Sequence, residues 1–177
     1  MSTLLEDTQR WLEQVVIGLN LCPFAAAPQR SGRIRFTSTA ADTWEGLLTT
    51  IVEEVLHLDS CPPEDVSTTL LLTPEAGSFD ELLDLTAAAS ELLRELGLDT
   101  RYQLVAFHPD FRYADADPAD PANLTNRSPC PLIHILREAD VNRAVDTHPD
   151  IDAIPEDNAA RLRALGTAAV RARWMRP

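Results

Sequence analysis

Lysine is absent from this 177-residue chain, in which all fifteen basic residues are arginine. That absence removes Schiff-base chemistry with carbonyls or pyridoxal phosphate, and with it the phosphate-binding lysine of a P-loop. No stretch approaches the ~18 consecutive apolar residues that a membrane span needs. Met1 to Arg10 carries acids where a secretory signal needs an apolar core, so a cytoplasmic protein with no membrane partner is expected. Cysteine is sparse and lacks CxxC spacing. Cys22, Cys61 and Cys130 are therefore read as free thiols of a reducing compartment. GxGxxG, GxSxG and HExxH patterns are also missing, so no cofactor is expected from motifs.

What is present describes an ordinary acidic globular protein. The apolar share of 45% and charged share of 24% suit a chain that buries one core, and the length fits a single domain spanning 1–177. A formal net charge of −13 repels nucleic acid and anionic surfaces and is read first as a source of solubility, with a cationic ligand as the alternative. Nothing in the sequence sets an oligomeric state.

Periodicity orders the chain. Thr3 and Glu6 form a capping-box pattern ahead of Leu12, Val15, Val16 and Leu19 at helical spacing, and Asn20 with Pro23 stops that helix. A short strand is expected over Arg33 to Thr37. A helix capped by Asp42 follows and is halted by Cys61-Pro62-Pro63. Val66 to Thr73 reads as a strand buried on both faces. Ser78 and Glu81 cap the clearest helix, which Gly97 closes, and Arg101 to Phe107 is the next strand. Residues 109–131, rich in Pro and Asp and without apolar periodicity, form a loop far longer than connections usually are. Leu132 to Leu136 resumes as a strand, Asp140 caps a short helix, and Pro155 opens the last one. The order predicts an α/β fold in which a mixed sheet of about four strands carries packed helices. The last strand is expected antiparallel beside its predecessor, which places the long loop at the carboxyl edge of the sheet, where α/β domains bind ligands.

Polar chemistry concentrates around that loop. Asn123, Thr125, Asn126, Arg127 and Ser128 offer amides, hydroxyls and a guanidinium that can orient a polar ligand, or that can equally satisfy the loop's own backbone. His108 leaves a strand at the ligand edge and is the leading acid–base candidate. His134 lies inside the apolar run Leu132 to Leu136, where a hydrogen-bonded core histidine is the plain expectation. Cys22 follows a helix C-terminus, whose partial negative charge raises a thiol pKa.

The strings Val16-Ile17-Gly18-Leu19-Asn20-Leu21-Cys22-Pro23-Phe24-Ala25, Gln103 to Pro109, Asn123 to Pro129 and His134-Ile135-Leu136-Arg137-Glu138 together resemble the family called domain of unknown function 1415. The resemblance spans nearly the whole chain and implies a small bacterial-type protein. It draws attention to Cys22, His108, Asn123, Asn126, Arg127, His134, Arg137 and Glu138 and assigns them no roles. Cys130 departs from it, standing where an aromatic residue is expected.

The resulting expectation is an enzyme acting on a small polar molecule. His108, Cys22 and Arg127 would be catalytic, and Asn123, Thr125, Asn126, Ser128, His134, Arg137 and Glu138 would bind the ligand. The alternatives are a non-catalytic module for an anionic or amide-bearing ligand, and an enzyme that holds a divalent metal on His108, Asp110 and His134.

Overall fold

The computed structural model describes residues 3–174, so Met1, Ser2 and residues 175–177 of the expected 1–177 span lie outside the described residues. Helix α1 (Leu4–Trp11) starts at Thr3, and the capping box with Glu6 forms as expected. The helix then widens into a π-helix, Leu12–Ile17. The chain leaves this element through Asn20, whose φ of 52° is a left-handed conformation that Asn tolerates better than most residues. A short helix not expected from the sequence, α2 (Ala26–Arg30), follows the Pro23 turn.

Strand β1 (Ile34–Ser38) leads through α3 (Trp44–Ser60) to β2 (Thr68–Leu72). The cap of α3 is Thr43, whose hydroxyl accepts from the Gly46 N–H; Asp42, one residue earlier, does not fill that place. Helix α4 (Phe79–Glu95) has the expected Ser78–Glu81 capping box, and Gly97 just beyond it is left-handed at φ +68°. Strand β3 (Tyr102–Phe107) precedes the long loop, which contains a 3-10 turn at Pro121–Thr125. Strand β4 (Leu132–Arg137) runs straight into α5 (Glu138–Thr147) without a side-chain cap, so Asp140 sits inside that helix and does not begin it. Helices α6 (Ile154–Leu165) and α7 (Thr167–Arg171) end the described fold.

The sheet order is β1-β2-β4-β3. β1 and β2 are parallel, and β4 runs antiparallel to both β2 and β3. The carboxyl ends of β1, β2 and β3 therefore share one edge, and the long loop leaves from it as expected. Period-two alternation then sorts the side chains onto two faces. One face presents Leu71, Ala106, Ile133 and Ile135 to α3 and α4. The other presents Leu70 and Leu132 to Trp11, the π-helix, α6 and α7, which gives three layers.

Candidate functional site

The register decides which polar residues can meet. On β3, residues 102, 104 and 106 face α3 and α4, and His108 continues that phase. Its ring lies 5.9 Å from that of Phe79, its Nε2 is 3.2 Å from the Gly77 carbonyl, and its Nδ1 accepts from the Asp110 N–H at 3.0 Å. This 4% exposed imidazole is thus consumed in joining the β2–α4 turn to the start of the long loop. His134 pairs with Val105 on β3 and with Leu70 on β2, which places it on the opposite face. His108 and His134 therefore do not converge, and among the described residues no group of three or more His, Cys, Asp or Glu could hold a metal ion.

The loop does fold back over the end of β3, and the Asn126 carbonyl accepts from the His108 N–H at 3.2 Å. Four of its five candidate side chains, Asn126 being the exception, bind the loop's own backbone. Asn123, fully buried, accepts from the Tyr113 N–H and donates to the Asp117 carbonyl. Arg127 donates to the Phe111 and Pro118 carbonyls, each at 2.9 Å. The Thr125 hydroxyl donates to the Ala122 carbonyl and the Ser128 hydroxyl to that of Cys130. Asp120, at the start of the 3-10 turn, is held down to about 2 by Arg163 and by the Ala122 N–H. The loop is a self-satisfied knot docked through Leu124 onto the second face.

That second face carries a cavity of about 350 Å³, within the usual range for small-molecule sites. Thr68, Leu70, Val105, His134 and Leu136 form its floor; Trp11, Leu12 and Val16 come from α1 and the π-helix, and Cys22, Phe24 and Ala25 from the turn after it. Val141, Ala144 and Val145 of α5 close the remaining side. A π-helix is rare and recurs at functional sites, and here Leu12 and Val16 line the cavity from within it. The turn bearing Cys22 is fixed from α6, where Asn158 donates to the Leu21 carbonyl and Arg161 to that of Leu19, both at 2.7 Å.

His134 stands in the middle row of the floor, with the Phe107 ring 6.3 Å from its own. Its protonation state follows from its neighbours. The Thr68 hydroxyl donates to the Ile135 carbonyl at 2.6 Å, so its only proton is spent. The 2.8 Å contact between Thr68 Oγ1 and His134 Nε2 then requires the proton to lie on Nε2, leaving Nδ1 as a bare acceptor. Burial depresses the imidazole from 6.5 to about 4, which keeps it neutral at pH 7.

Cys22 is a thiol, as are Cys61 and Cys130. Burial raises the Cys22 pKa, while the backbone N–H groups of Phe24 and Ala25 hydrogen-bond its sulfur and act in the opposite direction. The expected direction holds, but desolvation causes it and not the helix end. Cys22 and His134 line one cavity, whereas His108 and the Arg127 knot lie outside it.

Arg137 also borders the cavity, yet its guanidinium is committed elsewhere: its NH2 group donates to the Leu58 and Cys61 carbonyls, both at 2.7 Å. Asp140 accepts from the Ser67 hydroxyl and pairs with Arg143. Glu138 opens α5 and is half-buried. The sequence reasoning gives Trp11 no site role and overlooks Thr68 and the α5 stripe. Only the stripe left a trace, since Val141, Ala144 and Val145 recur at helical spacing.

A family model described as Protein of unknown function (DUF1415) matches residues 3–172. No curated protein and no solved structure matches the chain.

Proposed function

Taking as premise that the chain belongs to the DUF1415 family, we propose that it binds a small, largely apolar molecule in the cavity over His134. The observation that carries this reading is the cavity's lining. Aliphatic and aromatic side chains from the sheet, the π-helix and α5 surround one neutral imidazole whose Nδ1 has no hydrogen-bond partner among the described residues. Such an arrangement recognises an apolar body and orients it through one polar contact. The ligand is accordingly less polar than the loop residues had suggested.

The test uses N-phenyl-1-naphthylamine, a neutral probe that fluoresces in apolar surroundings. Saturable one-to-one binding is expected, and Ala144→Trp, which fills the cavity from α5, should weaken it at least tenfold while the variant stays folded. Equal binding by both proteins removes the reading.

A second reading, covalent chemistry at Cys22, is favoured by the placement of its sulfur in the same cavity beneath two N–H groups. Because burial raises this thiol's pKa, alkylation by N-phenylmaleimide should be slow at pH 7 and speed up about tenfold per pH unit up to pH 9. Occupation by the naphthylamine should block it. Peptide mass spectrometry separates Cys22 from Cys61 and Cys130, and a Cys22 that stays unmodified across that range ends this second reading.

A further inference from the structure

The chemistry of the floor narrows the ligand class, on the premise that the cavity is a binding site. Two charged residues border it. Arg137 directs its donors at the Leu58, Cys61 and Val66 carbonyls and at the Tyr102 hydroxyl, and Asp140 is held by Ser67 and Arg143. A charged ligand would therefore lose its water and meet mainly apolar walls, with the Arg137 donors already directed elsewhere, which is costly. Among the floor's polar atoms, Thr68 Oγ1 is already bonded on both sides, to His134 and to the Ile135 carbonyl. Gln103 offers an amide only from the solvent-exposed edge strand. The Trp11 Nε1–H has no partner among the described residues but is itself buried away from solvent, which leaves Nδ1 of His134, an acceptor that cannot donate while Thr68 holds the ring's proton on the other nitrogen.

We propose that the cavity selects uncharged molecules with an apolar body and one hydroxyl or N–H group, which donates to Nδ1 of His134. A carboxylate fails twice, because it lacks a proton to donate to Nδ1 and gives up its water against largely apolar walls. A plain hydrocarbon fits the walls and leaves the acceptor unpaired. Thr68 is the positioning residue, since its hydroxyl fixes which nitrogen is bare.

Three probes of one skeleton test this at pH 7: 2-naphthol, naphthalene and 2-naphthoate, measured by competition against N-phenyl-1-naphthylamine. Naphthol should bind at least tenfold more tightly than either of the others. In His134→Phe the hydrocarbon should bind within about threefold of its original affinity, while the advantage of the hydroxyl disappears. Thr68→Val serves as the second variant: it keeps the imidazole, releases its tautomer, and should reduce the naphthol advantage without erasing it. Naphthalene binding as tightly as naphthol, naphthoate binding best, or a hydroxyl advantage that survives His134→Phe would each overturn the selectivity and leave a binding site standing. Failure of all three probes to bind removes the site, and the selectivity with it.

Discussion

Replacing Arg137 with methionine is expected to lower the stability of the fold by roughly 3 kcal/mol without abolishing naphthylamine binding. The sequence placed this arginine on the ligand, but the structure spends it on the end of α3. The last carbonyls of a helix have no partners within it. Here the Leu58 and Cys61 carbonyls receive the two N–H groups of one guanidinium nitrogen, and the Tyr102 hydroxyl lies 3.3 Å from the other. Methionine fills similar volume, takes the guanidinium donors from the Cys61 and Val66 carbonyls, and leaves the Leu58 carbonyl only the Cys61 N–H. Urea unfolding reads the change directly, and a melting point lowered by about 10 °C should accompany it. Arg137→Lys should restore only part, because one ammonium cannot reproduce the planar fork. A change below about 0.5 kcal/mol, the ordinary range of surface substitutions, would mean that the guanidinium does not hold the helix end.

Acid should destabilise the protein through His134. Its imidazole titrates at about 4 in the folded chain against 6.5 for the free side chain. Above pH 6.5 both states are neutral and the full stability is present. Between 6.5 and 4 the unfolded chain takes up a proton that the folded chain refuses, so stability falls as pH drops, by about 3 kcal/mol in all. Below 4 both states are protonated and this contribution falls no further. Because 28 acidic residues titrate nearby, the comparison that isolates the effect is with His134→Gln, whose amide can still reach Thr68 but carries no charge. Parallel stability-versus-pH curves for the two proteins from pH 7 to 4.5 would sink the assignment.

Much of the architecture was legible because local signals agreed with one another. The capping boxes at Thr3–Glu6 and Ser78–Glu81, the stop at Gly97 and the doubly buried run through Leu70 to Leu72 needed no tertiary information. The position of the long loop at the carboxyl edge followed from chain order. The site was less legible. His108 and His134 flank one loop in the sequence, but which face each occupies depends on register, and a shift of one residue exchanges the faces. The pairing of Val105 with His134 cannot be read from either strand alone. The loop residues misled for a different reason. Asn, Thr, Ser and Arg serve a ligand or a backbone equally well, and Asn123 and Arg127 turn inward to the Asp117 and Phe111 carbonyls. The π-helix left no distinguishable pattern, since Leu12, Val15, Val16 and Leu19 suit an α-helix as well.

The place of β4 in the sheet governs how the chain can fold. β2 and β3 share no hydrogen bonds, and each is joined to the other only through β4, which is made last. A growing chain that stops short of Leu132 holds a β1–β2 pair and a solitary β3, and the pairing of Thr68 with Leu136 spans most of the sheet-forming sequence. Closure across so long a separation is slow relative to helix formation, and the sheet cannot be whole until β4 lies between two strands that never pair with each other.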